Sequence, residues 1–364
     1  MKEKISNILE ELCLLPSLSG HEQLVSNYLK NKFESFGLSV KIDTLGNTIA
    51  SIKGKDSSKK VMITGHMDSP GLMVKTITDD GFIKFERVGG IPEKTLVALR
   101  VAVQTKNGYI PGVIGVKSHH LTTADEKYKV DKYQELYIDI GCSSKREVLD
   151  LGINIGNAIT YYPTYVHLQN DNVSGTGFDN RIACTCLIEL AERLSKNKPD
   201  CDVYLVGTVQ EEYTIRGAVT ACRLIMPDII ICLDTEMATD TPDLKGVGDV
   251  SLNNGPVISM YNFHGRGTLN GAMPHPSLVK IYNDTAIEMN INLQRVAGIG
   301  GLTELAYMQT EGTGIAGVDI EVPFRYSHSC IETSNINDII QTIDLTEGVI
   351  RKINKNFDSI SRNQ

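Results

Sequence analysis

The sequence predicts a mixed α/β protein interrupted by a small inserted β-barrel-like domain. Three observations carry this. Apolar, β-branched runs that read as buried strands alternate with segments of helical periodicity towards both ends of the chain. Between about residues 72 and 164 the texture changes to short alternating strands, cut by turns at Asp80-Gly81, Gly89-Gly90, Asn107-Gly108 and Pro111-Gly112. After Tyr165 the α/β pattern resumes, so an α/β domain of residues 1–71 and 165–364 is expected to enclose a β-rich domain of residues 72–164. A chain of 364 residues is long enough for two such cores.

In order, Ile5, Ile8, Leu9 and Leu12 and then Leu24, Val25, Tyr28, Leu29 and Phe33 recur at helical spacing. Pro16 to Gly20 separates them into two helices. Val40 to Asp43, Thr48 to Ile52 and Val61 to Gly65 read as strands, split by Gly46-Asn47 and by a Lys-rich loop at 53–60. Within the insert, helical patterning is confined to Ser144 to Leu151. Phe178-Asp-Asn-Arg181 then opens a strong helix through Ile182, Cys186, Leu187, Leu190 and Leu194. The strands Val203 to Gln210 and Ile229 to Asp234 follow, with a helix between them. A Gly/Pro/Asp-rich loop at 240–256, a helix at 277–291, a strand from Gly317 to Val322 and a last helix from Asn337 to Ile353 complete the chain.

Composition excludes several classes. Hydrophobic residues at 41% and charged residues at 22% are ordinary for a globular protein. A net charge of -8 with no basic run argues against nucleic-acid binding. No apolar stretch is long enough to span a bilayer, and the first residues lack the apolar core of a signal peptide. The eight cysteines are scattered without a CxxC pair, which reads as reduced thiols of a cytoplasmic protein.

The chemistry gathers where strands end. Three apolar strands lead to His66, to Glu211-Glu212 and to Asp234, and His328 lies just past a fourth. In open α/β sheets, ligands collect outside the carboxyl ends of the strands. Asp179, after the approach Ser174-Gly-Thr-Gly177, is a further carboxylate. Histidines with carboxylates and no thiolate suit zinc, cobalt or manganese at a hydrolytic site. Asp68, two residues past His66, is placed to accept the imidazole's second N–H. If the strand stays extended, Glu211 and Glu212 point to opposite sides and are free to take different roles. Any one of these residues alone has a plain structural account: a solvated Glu pair, a loop histidine, a capping aspartate. Their joint placement is what points to a metal site.

Other candidates carry less. His119-His120 reads as a loop pair, His275 between two prolines as rigid turn chemistry, and His21 as a helix start, while His167 and His264 stand alone. Gly298-Ile-Gly-Gly301 lacks the Lys-Ser/Thr ending of a phosphate loop. Cys330 lies close to His328 and is read as a bystander.

Leu18-Ser-Gly-His-Glu22, Gly65-His-Met-Asp68, Gly112-Val-Ile-Gly115, Glu135 to Gly141, Phe178-Asp-Asn-Arg181, Gln210-Glu-Glu212 and Arg325-Tyr-Ser-His328 stand in one order along the chain. In that order and spacing the sequence resembles the dinuclear-metal aminopeptidases of metallopeptidase family forty-two, some of whose members were labelled endoglucanases. The resemblance implies a mixed-sheet α/β/α catalytic domain, an inserted dimerisation domain near 72–164, and dimers that assemble into hollow dodecamers. It implies two divalent ions per subunit (zinc, cobalt or manganese), with Asp179 bridging them. His66 and Asp234 would complete one shell, and Glu212 and His328 the other. Asp68 would orient His66, and Glu211 would be the general base for attack of a metal-bridging water on peptides with free N-termini. Departures from the family pattern are Glu304 in a slot usually held by Asp, Ser69-Pro70 after the metal-site Asp, and Cys330 where proline is common. They bear on substrate choice, and Glu304 is a candidate for reshaping the substrate pocket.

Rival readings are a deacylase or carboxypeptidase on the same scaffold, a β-glucanase and a silent scaffold protein. The first needs a cationic clamp for a free carboxylate. The second needs a carboxylate pair with aromatic platforms, and the chain has no Trp. The third is opposed by the intact Glu211.

Overall fold

A computed structural model describes residues 1–265 and 267–360. Its centre is a mixed sheet of twelve strands, covered by helices on both faces. Four neighbouring strands, Asp202–Thr208, Lys60–His66, Ile229–Met237 and Ala316–Arg325, are parallel and occupy the middle of the sheet. Because layers cover both faces, the first three read as nearly continuous apolar runs, while Ala316–Arg325 is mixed and buries Asp319 and Glu321. On one side pack Lys2–Cys13, Gln23–Ser35, Phe178–Lys196 and Ile336–Lys352; on the other pack Arg216–Ile225 and Leu305–Met308. Gly65 shows how tightly the first layer lies. A Cβ at this position would stand 2.5 Å from the Cβ of Ala183 on Phe178–Lys196.

The segment after Pro70 leaves the sheet and closes a barrel of its own. Its strands, Gly71–Ile77, Ile83–Val88, Arg100–Thr105, Gly108–Ile114, Ile138–Asp139 and Ala158–Tyr161, pair antiparallel throughout. Leu72, Val74, Phe85, Val101, Val103, Ile138 and Ile159 fill a core separate from that of the sheet. The short helix Lys145–Asp150 is capped by Ser144, whose side chain accepts from the Glu147 N–H.

The structure corrects three sequence expectations. The strand from residue 316 runs on through Pro323 to Arg325, and a short strand, Glu332–Asn335, returns beside it. A branch of the sheet, Val257–Phe263 with Gln294–Ile299 and Gly271–Ala272, has no strong period in the sequence, and Gly298 lies inside one of its strands. The Glu211-Glu212 pair is not at an extended strand end. The strand stops at Thr208, Gln210 turns left-handed at φ 58°, and Glu211–Thr214 is one helical turn. The different directions of the two glutamates therefore come from helical rotation, not strand alternation.

All eight cysteines are free thiols. Among the described residues, no helix is long and apolar enough to cross a membrane.

Candidate active site

Parallel strands place their carboxyl ends on one edge of the sheet, and the predicted residues meet there. His66 closes its strand, Asp234 stands near the end of the next, and Glu211 and Glu212 follow a third. Asp179 enters from the start of Phe178–Lys196, just after Gly177, which adopts φ 69°. His328, at φ 59°, arrives from the turn between Ala316–Arg325 and Glu332–Asn335.

Two groups of ligand atoms, each within 4.8 Å, share one residue. His66, Asp179 and Asp234 form the first, and Asp179, Glu212 and His328 the second. His66 Nε2 lies 3.0 Å from Asp179 Oδ1 and 3.8 Å from Asp234 Oδ1. His328 Nε2 lies 3.5 Å from Asp179 Oδ2 and 3.2 Å from Glu212 Oε1. A third group joins His66, Glu211 and Glu212.

The electrostatics are those of crowded carboxylates. Burial, opposed by His66 and reinforced by Glu212 and Asp234, holds the Glu211 carboxyl well above its ordinary range. Burial, opposed by His66 and reinforced by Asp179, does the same to Asp234. Burial also raises Glu212, against the pull of His328. Asp179 goes the other way, because hydrogen bonds from His328 and His66 outweigh its burial. Both imidazoles are raised in turn by these carboxylates despite burial. Among the described residues, the ion pairs of Asp179, Glu212 and Asp234 are with these two histidines, and no Lys or Arg joins them. Glu212 Oε1 is buried and receives no hydrogen bond in acceptable geometry. Oxygen and imidazole donors without a thiolate, short of positive charge and with an orphaned carboxylate oxygen, fit hard or borderline divalent cations.

Asp68 does more than its spacing suggested. The nearest partner of His66 Nδ1 is the Asp68 backbone oxygen at 3.1 Å, with the carboxylate Oδ1 at 3.5 Å. That carboxylate also accepts the backbone N–H groups of Glu211 and Glu212, each at 3.0 Å, and the Ser19 hydroxyl. It thus anchors the glutamate turn together with the imidazole.

Several residues that the sequence did not single out support the site. Glu22 accepts the Gln210 N–H at 3.0 Å. Buried Arg181 donates to the Met67 carbonyl at 2.5 Å. Glu332 accepts from Asp179 and His328, and Tyr161 donates to His328. Position in a motif already quoted was the available signal for Glu22 and Arg181. Tyr161 carried none, since its contact lies 167 residues away in sequence. Of the weaker candidates, His275 caps Pro276–Met289 through Nδ1, and His119-His120 lies in a short helical turn.

Glu304 is 1% exposed, beneath the sheet beside Thr64 and Thr208, and does not line an open surface. The hydroxyls of both threonines face its carboxyl, in poor hydrogen-bond geometry. Burial, with some relief from His66, pushes its carboxyl up to about 7 from an ordinary 4.5. The folded protein holds this proton more tightly than the unfolded chain. The stability so contributed is complete below 4.5 and is lost as pH rises towards 7, on the order of 3 kcal/mol. In chelator-treated protein, Glu304→Gln is expected to match wild type in thermal denaturation at pH 5 and exceed it at pH 8. Equal losses in both proteins between those values would exclude titration of Glu304 in the fold.

The profile of the family described as M42 glutamyl aminopeptidase matches residues 46–345. The lysyl aminopeptidase of Pyrococcus furiosus is 31% identical over 354 residues, covering 95% of this chain and 96% of its own. Among solved structures, the aminopeptidase APDkam598 of the archaeon Desulfurococcus kamchatkensis superposes with a TM-score of 0.91 at 31% identity, covering 98% of this chain and 97% of its own. The TET1 peptidase of Pyrococcus horikoshii, which can assemble into a tetrahedron or a large octahedral shell, superposes at 0.85 with 27% identity, covering 96% of this chain and all of its own. A profile match over most of the chain, and a relative matched across nearly all of both, establish that this chain belongs to the M42 glutamyl aminopeptidase family.

Proposed function

We propose that this member of an aminopeptidase family is a dinuclear-metal enzyme that releases N-terminal residues from peptides. One observation carries the reading: two three-residue ligand groups converge with Asp179 common to both. His66, Asp179 and Asp234 would hold one divalent ion, and Asp179, Glu212 and His328 the other, with zinc, cobalt or manganese suiting the donors. When bound, such ions lower the pKa of a water and polarise the scissile carbonyl.

The chain's own residues do the rest. Glu211 takes a proton from the attacking water and delivers it to the leaving amine nitrogen, so one carboxylate serves as base and then acid. In the metal-free chain its carboxyl is raised by burial, against His66 and with Glu212, Asp234 and Asp68, which favours the proton-holding form that the second step needs. Asp68, through the backbone N–H groups of Glu211 and Glu212, fixes the turn that separates the base from the ligand. Its contacts with His66 leave Nε2 of that ring facing Asp179.

Residues 72–164 are proposed as the self-association domain. Leu121 and Tyr128 of this segment are 72% and 86% exposed and are open to a partner. Likeness to a peptidase that forms tetrahedral or octahedral shells, and to one found as a dodecamer, supports self-association through dimers into a dodecamer.

One experiment covers these points. Metal-reconstituted protein is offered paired peptides with free and blocked α-amines, and its mass is read by light scattering. Turnover confined to the free-amine member, in particles of several times 40.0 kDa, is the expected result. Hydrolysis of blocked substrates alone would favour a deacylase, and a 40.0 kDa particle would remove the assembly proposal.

A further inference from the structure

His328 is held at three points. Its backbone N–H donates to Glu332 Oε1 at 2.7 Å, and its carbonyl accepts from the Tyr161 hydroxyl at 2.9 Å. Its Nδ1 lies 2.5 Å from the Gly90 carbonyl oxygen. A carbonyl only accepts, so Nδ1 keeps its hydrogen, and Nε2 is the nitrogen whose proton a cation would displace. Nε2 is the atom that faces Asp179 and Glu212. A Cβ on Gly90 would stand 3.3 Å from Nδ1, so glycine lets the 89–90 turn come this close without displacing the ring.

Glu332 has a second duty. It is 2% exposed, and its other oxygen, Oε2, accepts the Asp179 backbone N–H at 3.2 Å. A single buried carboxylate therefore ties the segment bearing Asp179 to the turn bearing His328. That turn is left-handed at both Tyr326 and His328, with φ of 63° and 59°. Non-glycine residues adopt such angles at a cost and keep them only when surrounding contacts hold them. Two of the three contacts on His328 come from the inserted barrel, whose segment reads from sequence as an assembly unit only.

We propose that Glu332 and Tyr161 are positioning residues that set the distance and direction of His328 relative to Asp179, so that the barrel takes part in building the metal centre. The proposal rests on the reading of Asp179 and His328 as ligands. Groups that orient ligands in this way typically contribute about ten- to a hundred-fold to metal affinity.

The test is calorimetric titration of chelator-stripped full-length protein with cobalt, with visible spectra of the loaded forms. His328→Ala is the reference variant. Wild type is expected to take two equivalents and His328→Ala to lose one of them. Glu332→Gln keeps the size of the side chain but turns an amide N–H towards one of the two backbone donors. It is expected to bind one equivalent about ten- to a hundred-fold more weakly and to shift the cobalt bands at saturation. Tyr161→Phe removes one hydroxyl and is expected to change the same equivalent in the same direction by less. Should Glu332→Gln not fold, Tyr161→Phe decides by the same readout. Wild-type affinities and spectra in both variants, with one equivalent lost in His328→Ala, would overturn the positioning proposal alone. Two wild-type equivalents in His328→Ala would overturn the ligand reading, and the positioning proposal with it.

Discussion

Replacing Glu211 by glutamine is expected to lower turnover by roughly two to four powers of ten while leaving metal content unchanged. Glutamine keeps the side-chain size and some hydrogen bonding but cannot accept the proton. The neighbouring residue supplies the control. Glu212 belongs to a ligand group with Asp179 and His328, and its Oε1 lies 3.2 Å from His328 Nε2. Glu212→Gln should therefore lose occupancy at one site and recover in part when metal is added in excess. The comparison is made at matched metal loading, since loss of metal imitates loss of a base. Because Glu211 also groups with His66 and Glu212, an exchange of roles is a concrete competing outcome. If Glu211→Gln sheds metal and added metal rescues it, the two roles are exchanged or shared. Full activity with both metals retained would eliminate Glu211 as the base.

Asp179→Ala is the second large effect. Its carboxylate belongs to both ligand groups, with Oδ1 3.0 Å from His66 Nε2 and Oδ2 3.5 Å from His328 Nε2. Removing it should weaken both metals together and lower activity by roughly four powers of ten or more, the scale seen when a catalytic unit is disabled as a whole. Stability provides a readout independent of turnover. Metal that binds only the folded chain stabilises it by about 2.7 kcal/mol at a hundred times its Kd. Wild type should therefore melt at a higher temperature with metal than with chelator, and Asp179→Ala should show almost no difference. One tight equivalent retained by Asp179→Ala, with one also the maximum for wild type, would reduce the centre to a single-metal site.

How much of this was legible beforehand depends on how local its cause is. Apolar runs report burial, so Val61 to Gly65, Val203 to Thr208 and Ile229 to Asp234 were readable as central strands. The change of texture near residue 72 reported a second core, because half-buried strands alternate and strands covered on both faces do not. Histidines and carboxylates at strand ends were informative for a topological reason: parallel neighbours put those ends on one edge. The branch through Val257–Phe263 and Gln294–Ile299 was not readable, since neither a clean period nor a strong turn marks it.

The sequence by itself determined the classes of the parts: an α/β body, an inserted β unit, and a set of oxygen and imidazole donors. Each follows from side-chain chemistry and short-range periodicity. Only the tertiary structure decided which atoms face which. Gln210 turns the chain left-handed before Glu211, so the glutamate pair sits on a helical turn and not on a strand. Glu332 reaches back to Asp179, 153 residues away, and Tyr161 reaches His328 across 167. Glu304 is carried under the sheet, away from any open surface. Such contacts are set by how strands and layers close on one another, a property of the whole packed chain. No window of the sequence short enough to show a period contains both partners.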